Sequence, residues 1–372
     1  MEDSPSQPAA ILYPLPDIPL PMWHLLSQRL LTLLQLTRMA LVFTAIADGL
    51  CTVMLSAQQR AQAAGNTLAA QLDARQVLAA AGISVGLYGF GMSLNDIIDR
   101  RRDSQISPHR PLPSGRVGVG AAHVVCASLL ALAALSAWFY SISTGYGSMS
   151  VVLAVWTAML IAFYDLAGKY LVALGLLTLG LIRLFHAVIP NPHVPLLWHP
   201  LWLFNHVAIL SAVAYRWEEK RPPLTRRHWW AVVGGLLVVN VVLVTLVASR
   251  RGAAGPGVRA SEVAAALRIE PGLALPALAS LAFVALGSRL RRRSASSRDA
   301  GQALMLYGLL WLIVYDAAFV AGYVRNAAAT VGVLLLLPVA YLSVQLMRWW
   351  SRLVAVSQRP EFKRARMLRH DD

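Results

Sequence analysis

The sequence predicts an all-α polytopic membrane bundle of about nine to ten transmembrane helices, on three observations. Of its 372 residues, 57% are hydrophobic and only 14% charged, with a mean hydropathy of +0.56, too apolar for an ordinary soluble domain of that length. Apolar runs near twenty residues, the length that crosses a hydrocarbon core, recur along the chain. Finally, Lys and Arg fall mainly on alternate connections, as the positive-inside rule requires.

The runs lie around 29–56, 77–95, 121–143, 147–165, 171–189, 198–215, 228–248, 273–290, 302–324 and 330–350. The largest connections are 57–76, 96–120, 216–227, 249–272 and 289–301. None is long enough for a separate domain, so one membrane domain over 29–350 is expected, with a short proline-rich disordered tail at 1–28 and a basic cytoplasmic tail at 351–372. Assigning alternate connections and both termini to one side places twenty-four of the 33 basic residues there and seven on the other, with Arg38 and Arg183 inside spans. That side is the cytoplasm, and an inner (plasma) membrane location follows as an expectation. The net charge of +15 is thereby assigned to topology, with no nucleic-acid partner. Residues 1–22 lack the basic start, apolar middle and cleavage site of a signal peptide. Cys51 and Cys126 fall inside spans and lack disulfide or metal-ligand spacing. The basic stretches Arg289 to Arg298 and Arg348 to Arg369 read as anchors on anionic lipid.

The most informative segment is Asn95-Asp96-Ile97-Ile98-Asp99-Arg100-Arg101-Arg102-Asp103, at the cytoplasmic end of the second span, followed by Arg110-Pro111-Leu112-Pro113-Ser114-Gly115-Arg116. On a helix Asp96, Asp99 and Asp103 share one face, with Asn95 one turn behind Asp99. Crowded carboxylates repel unless a cation neutralises them, and hard oxygen ligands suit Mg²⁺, which fills its remaining positions with water and substrate phosphate. A solvated helix end paired with Arg100 to Arg102 is the plainer reading of an isolated acidic run; the position at a span end and the Arg-Pro-Leu-Pro sequel favour a diphosphate site.

These two motifs, in this order at the end of the second span, resemble the UbiA superfamily of intramembrane prenyltransferases. Phe163-Tyr164-Asp165-Leu166-Ala167-Gly168-Lys169 at the end of the fourth span is a further match, and Gly175 to Val188, with Gly180 and Arg183, looks like the UbiA-like branch named EboC. The resemblance covers roughly residues 30–220. It implies a central cavity open to lipid, with acidic motifs on helices two and six holding Mg²⁺ and a prenyl diphosphate. The end of the sixth span departs from that pattern, reading Ala214-Tyr215-Arg216-Trp217-Glu218-Glu219-Lys220-Arg221. Glu218 and Glu219 are its acidic candidates, and adjacent helical residues point about 100° apart, so both cannot face one ion.

The resemblance implies Asn95, Asp96, Asp99 and Asp103 as metal ligands and Mg²⁺ as cofactor. Lys169, Arg110 and Arg116 add charge to the departing pyrophosphate. Asp165 joins Asp96, Asp99 and Lys169 as a catalytic candidate, and Tyr164, with Tyr88 and Phe90, is expected to line an apolar cavity that shields an allylic carbocation. Ionisable groups inside spans usually face the bundle interior. Here they are Asp48, Arg183, His186, His206 and Asp316. Arg183 and His186 either touch substrate or pair with Asp48 or Asp165, and Glu218 is the remaining substrate-binding candidate. Asn205 and Asn240 are expected to bond neighbouring helices. The function expected is transfer of an isoprenoid chain from a prenyl diphosphate to an aromatic or cyclic acceptor, within membrane lipid. The alternative is a non-catalytic carrier of isoprenoid or lipid diphosphates that retains only the helix-two clamp. A transporter is disfavoured, as no inverted repeat with paired broken helices is evident.

Overall fold

The computed structural model describes residues 31–32, 34–36, 41–194, 196–251 and 269–357. The tail expected at 1–28, residues 358–372 of the tail expected at 351–372, and most of the 249–272 connection lie outside the described residues, while 351–357 continue the last helix. Among the described residues there is no strand. The principal helices are α1 (Val42–Ala64), α2 (Ala74–Ile106), α3 (Val119–Thr144), α4 (Met149–Leu166), α5 (Val172–Val188), α6 (Trp198–Trp217), α7 (Arg226–Arg251), α8 (Ala274–Arg293), α9 (Ser297–Phe319), α10 (Ala327–Leu334) and α11 (Leu336–Ser357).

Each expected span coincides with a helix, and the bounds differ where hydropathy and helix termination part company. The first apolar run, 29–56, stops at the polar Gln58-Gln59-Arg60 stretch, yet α1 continues to Ala64 and ends where Gly65 adopts a left-handed φ of 65°. Arg60 sustains that extra turn by bonding Gln71 O at 3.1 Å and Gln76 Oε1 at 3.3 Å. The last run is broken into α10 and α11, because Pro338 has no N–H to give the carbonyl of Leu334, four residues back. Seven helices are long and apolar enough to cross a membrane. Of the other principal helices, α5 has 17 residues, while α1 and α6 carry Asp48, His199, Asn205 and His206 within their apolar lengths.

Close approach sets the packing of the first half. A Cβ on Gly86 would lie 2.6 Å from Ala133 N and 2.7 Å from Leu129 O, so only glycine lets α2 and α3 touch backbone to backbone there. The outer faces of α3, α7 and α8 display Leu135, Trp138, Ile142, Leu237, Val238, Leu281 and Val284. Such a surface suits lipid, not water, and with the seven apolar helices it makes the chain a multi-pass integral membrane protein.

Inside, a polar seam joins five helices. Asp48 on α1, fully buried, accepts from Arg183 on α5 and lies 3.7 Å from His186 Nδ1; Arg183 also donates to Thr44 Oγ1. His186 Nε2 meets Ser84 Oγ of α2 at 3.1 Å, and His199 Nε2 on α6 meets Asp316 Oδ1 on α9 at 2.8 Å. Arg183 thus makes the Asp48 pairing read as one of its two alternatives, and it also borders the cavity beside the acidic motif of α2. Asn205 and Asn240, expected only to bond neighbouring helices, do so to each other as a reciprocal pair at 2.8 and 2.9 Å, tying α6 to α7.

Candidate active site

Helix length delivers the acidic cluster to the membrane boundary. The 33 residues of α2 span about 50 Å at 1.5 Å per residue, well beyond a hydrocarbon core of about 30 Å. The helix starts at Asp73, whose side chain caps Arg75 N at 2.8 Å, so Asn95 to Asp103 fall in its last third. Arg101 and Arg102 face outward, while Asp96, Asp99 and Asp103 are only 3%, 9% and 5% exposed. The cluster is therefore not the solvated helix end of the plainer reading.

The following loop then folds back beneath the cluster. Pro111 and Pro113 restrict φ, Gly115 takes a φ of 73°, and Val117 N bonds Pro111 O at 3.1 Å. Leu112 and Val117 bury against Leu36 and Ala122, which anchors the loop. Arg110 is thus brought to Asp103, which accepts from its guanidinium, and to within 3.8 Å of Asp96. Arg116 instead clasps the loop, donating to His109 O at 2.7 Å and to Gln35 Oε1 at 3.1 Å. Burial lowers its guanidinium from the ordinary value. Gln35 in turn donates to Ser351 Oγ of α11 at 3.0 Å.

From α4 and the turn after it come Asp165 and Lys169. Lys169 Nζ donates to Asp99 Oδ1 at 2.7 Å, the closest polar contact between the two motifs. The Asn95 amide presents one heteroatom 3.2 Å from both Asp99 Oδ2 and Asp165 Oδ1. As nitrogen it donates to both carboxylates. As oxygen it lies from each of these two carboxylate oxygens at nearly the spacing, about 3 Å, of adjacent ligands around an octahedral ion with 2.1 Å bonds. Ion pairs bring Lys169 and Arg110 against Asp96, Asp99 and Asp103, and Asn95 brings Asp165 beside Asp99, so four carboxylates converge where a divalent cation would neutralise charge. The donor set, all oxygen, fits such an ion.

This wall borders a cavity of about 1030 Å³. Asn95, Asp96 and Arg110 stand with Tyr88, Tyr164 and Asp165 on its lining, and Arg183 and His186 close its far end. Phe90 is packed in the core among α1–α4 residues and does not line the cavity. Nor does Glu218 join the site. Its Oε2 pairs with Lys220 at 3.0 Å and its stem lies against Gly301 of α9. Glu219, in a left-handed turn with φ 52°, is likewise off the lining. The cavity has a feature the sequence reading assigned to lipid anchoring: Arg348 and Arg352 line it with Val344, Met347 and Ser351. Their spacing of i, i+3, i+4, i+7 and i+8 is one helical stripe, a signal available in the sequence but only meaningful once α11 is known to border the cavity. His206, bonded to Gly308 O at 3.0 Å, belongs to a second, more apolar cavity of about 810 Å³ lined from α6 to α9.

Residues 61–212 match the model of the UbiA prenyltransferase family, a stretch that includes both the acidic wall and Lys169. A solved structure described as concerning digeranylgeranylglyceryl phosphate synthase in membranes shares the fold, with 18% identity over 80% of this chain and 100% of that one and a TM-score of 0.52. No curated protein matches the sequence. Neither likeness addresses the EboC branch.

Proposed function

We propose that this protein is a Mg²⁺-dependent prenyltransferase that moves an isoprenoid chain from a prenyl diphosphate to an aromatic or cyclic acceptor inside the membrane, with the acidic wall on the cytoplasmic side. The observation that carries this is the convergence of Asn95, Asp99 and Asp165 oxygens and amide at 3.2 Å beside buried Asp96, on the rim of a cavity large enough for two substrates. A weakened second acidic motif is the trait that keeps the EboC-like branch the nearest resemblance.

In this reading Asn95, Asp96, Asp99, Asp103 and Asp165 would hold a divalent ion through their oxygens, and that ion would supply positive charge to the diphosphate. Lys169 and Arg110, already fixed on Asp99 and Asp103, add positive charge at the same edge. The allylic C–O bond breaks with its electron pair passing to the pyrophosphate oxygen, and stabilising that developing anion is the main catalytic contribution. Tyr88 and Tyr164 line the adjoining space, where their π-faces favour a carbocation and the apolar wall keeps water from capturing it. The acceptor takes the cation and loses a proton.

The test is pyrophosphate release by purified protein in lipid, given geranyl, farnesyl and geranylgeranyl diphosphates with aromatic acceptors, with and without Mg²⁺, beside Asp96→Asn. Release that requires Mg²⁺, Asp96 and an acceptor supports the enzyme. Saturable diphosphate binding without turnover supports the carrier reading, which the displacement of Glu218 from the cavity favours. Undiminished binding by Asp96→Asn refutes the site itself.

A further inference from the structure

Resting on that reading of the cavity, we infer that Arg348 and Arg352 form the second half of the diphosphate site, binding phosphate oxygens directly in place of a second metal. Three observations carry this. First, Glu218 is committed to Lys220 and to the face of α9, so no carboxylate from the end of α6 reaches the cavity. Second, α11 turns one stripe to the cavity, and its charged end, Arg348 and Arg352, lies on the lining shared with Asn95, Asp96 and Arg110. Third, that end of α11 is fastened to the Arg-Pro-Leu-Pro loop through Gln35, which bonds Ser351 at 3.0 Å on one side and Arg116 at 3.1 Å on the other. The two arginines are one helical turn apart and side by side, and among the described residues no carboxylate forms an ion pair with either.

The chemistry distinguishes the two walls. An acidic wall alone can hold a diphosphate only through cations, whereas guanidinium groups bind phosphate oxygens directly and in pairs. One divalent ion on the α2/α4 side and two guanidinium groups on the α11 side supply four positive charges to a diphosphate and to the surplus carboxylate charge, with no second metal. A phosphate-bearing lipid headgroup offers the same oxygens, so the experiment separates the two sources.

The probe is inorganic pyrophosphate, titrated calorimetrically in the presence of Mg²⁺ into the full-length protein in nanodiscs of phosphatidylcholine, and again with phosphatidylglycerol added. Both arginines are exposed on the surface of α11, so Arg348→Gln and Arg352→Gln leave the packing intact, checked by circular dichroism and gel filtration. Each substitution is expected to weaken pyrophosphate binding about tenfold and the pair about a hundredfold, the usual value of hydrogen bonds to charged groups. Arg292→Gln, elsewhere on the basic surface, is expected to leave it unchanged. Mn²⁺ in place of Mg²⁺ is expected to give the paramagnetic resonance signal of isolated ions. Wild-type pyrophosphate affinity in both variants overturns the inference, in favour of headgroup contact where their phosphatidylglycerol dependence has changed, and a spin-coupled Mn²⁺ pair overturns it in favour of a second metal. Wild-type protein that binds no pyrophosphate overturns the function proposed above as well, an outcome distinct from insensitivity of the variants alone.

Discussion

Removing the cation from the buried Asp48–Arg183 pair is expected to destabilise the bundle more than any neutral hydrogen bond lost from it. Asp48 is 0% exposed and its carboxylate takes a charged donor from Arg183, with His186 Nδ1 a further 3.7 Å away. Arg183→Met preserves much of the stem but leaves the carboxylate without its guanidinium, a change worth about 3–5 kcal/mol where a buried pair is broken. Interhelical hydrogen bonds within membranes average only about 0.6 kcal/mol. Asp48→Leu strands the guanidinium in the same way, while the double variant removes both charges and is expected to recover most of the loss. Reversible unfolding by sodium dodecyl sulfate in mixed micelles, followed by tryptophan fluorescence, gives the four corners of a double-mutant cycle. A coupling of at least about 2 kcal/mol is expected. Additive single effects, or an Arg183→Met cost below about 1 kcal/mol, would show that the pair is not what holds α1 to α5.

Other substitutions probe the site and its scaffold. Gly86→Leu forces atoms into the 2.6 Å approach to Ala133 N, and a loss of about 3 kcal/mol or more, or failure to fold, is expected from overpacking; unfolding in the same detergent series reads it. Lys169→Met removes the partner of Asp99 at 2.7 Å and is expected to lower prenyl transfer at least tenfold, with Lys169→Arg retaining more activity than Lys169→Met in single-turnover assays. Glu218→Gln breaks only a contact with Lys220 that is open to water, so Mg²⁺-dependent pyrophosphate affinity should stay within about twofold of wild type; a tenfold fall would place this residue in the site after all.

Much was legible without coordinates because the governing physics is local or one-dimensional. Bilayer thickness selects apolar runs near twenty residues, and the ten runs recur as helices. A helix fixes which side chains share a face, so Asp96, Asp99 and Asp103 align by spacing alone. That Asn205 and Asn240 bond neighbouring helices also follows from the cost of lone polar groups in lipid, though not that they bond each other. What tertiary structure decided is which faces meet. Spacing cannot say that Lys169 closes on Asp99 across 70 positions, that Arg183 turns to Asp48, or that Arg116 clasps Gln35 instead of lining the cavity. Nor can it say that Glu218 folds away against Gly301 while Arg348 and Arg352 border the cavity. Those outcomes depend on close approaches such as Gly301 against α6 and on the Gln35 bridge, which are contacts between helices distant in sequence and carry no periodic signal along the chain.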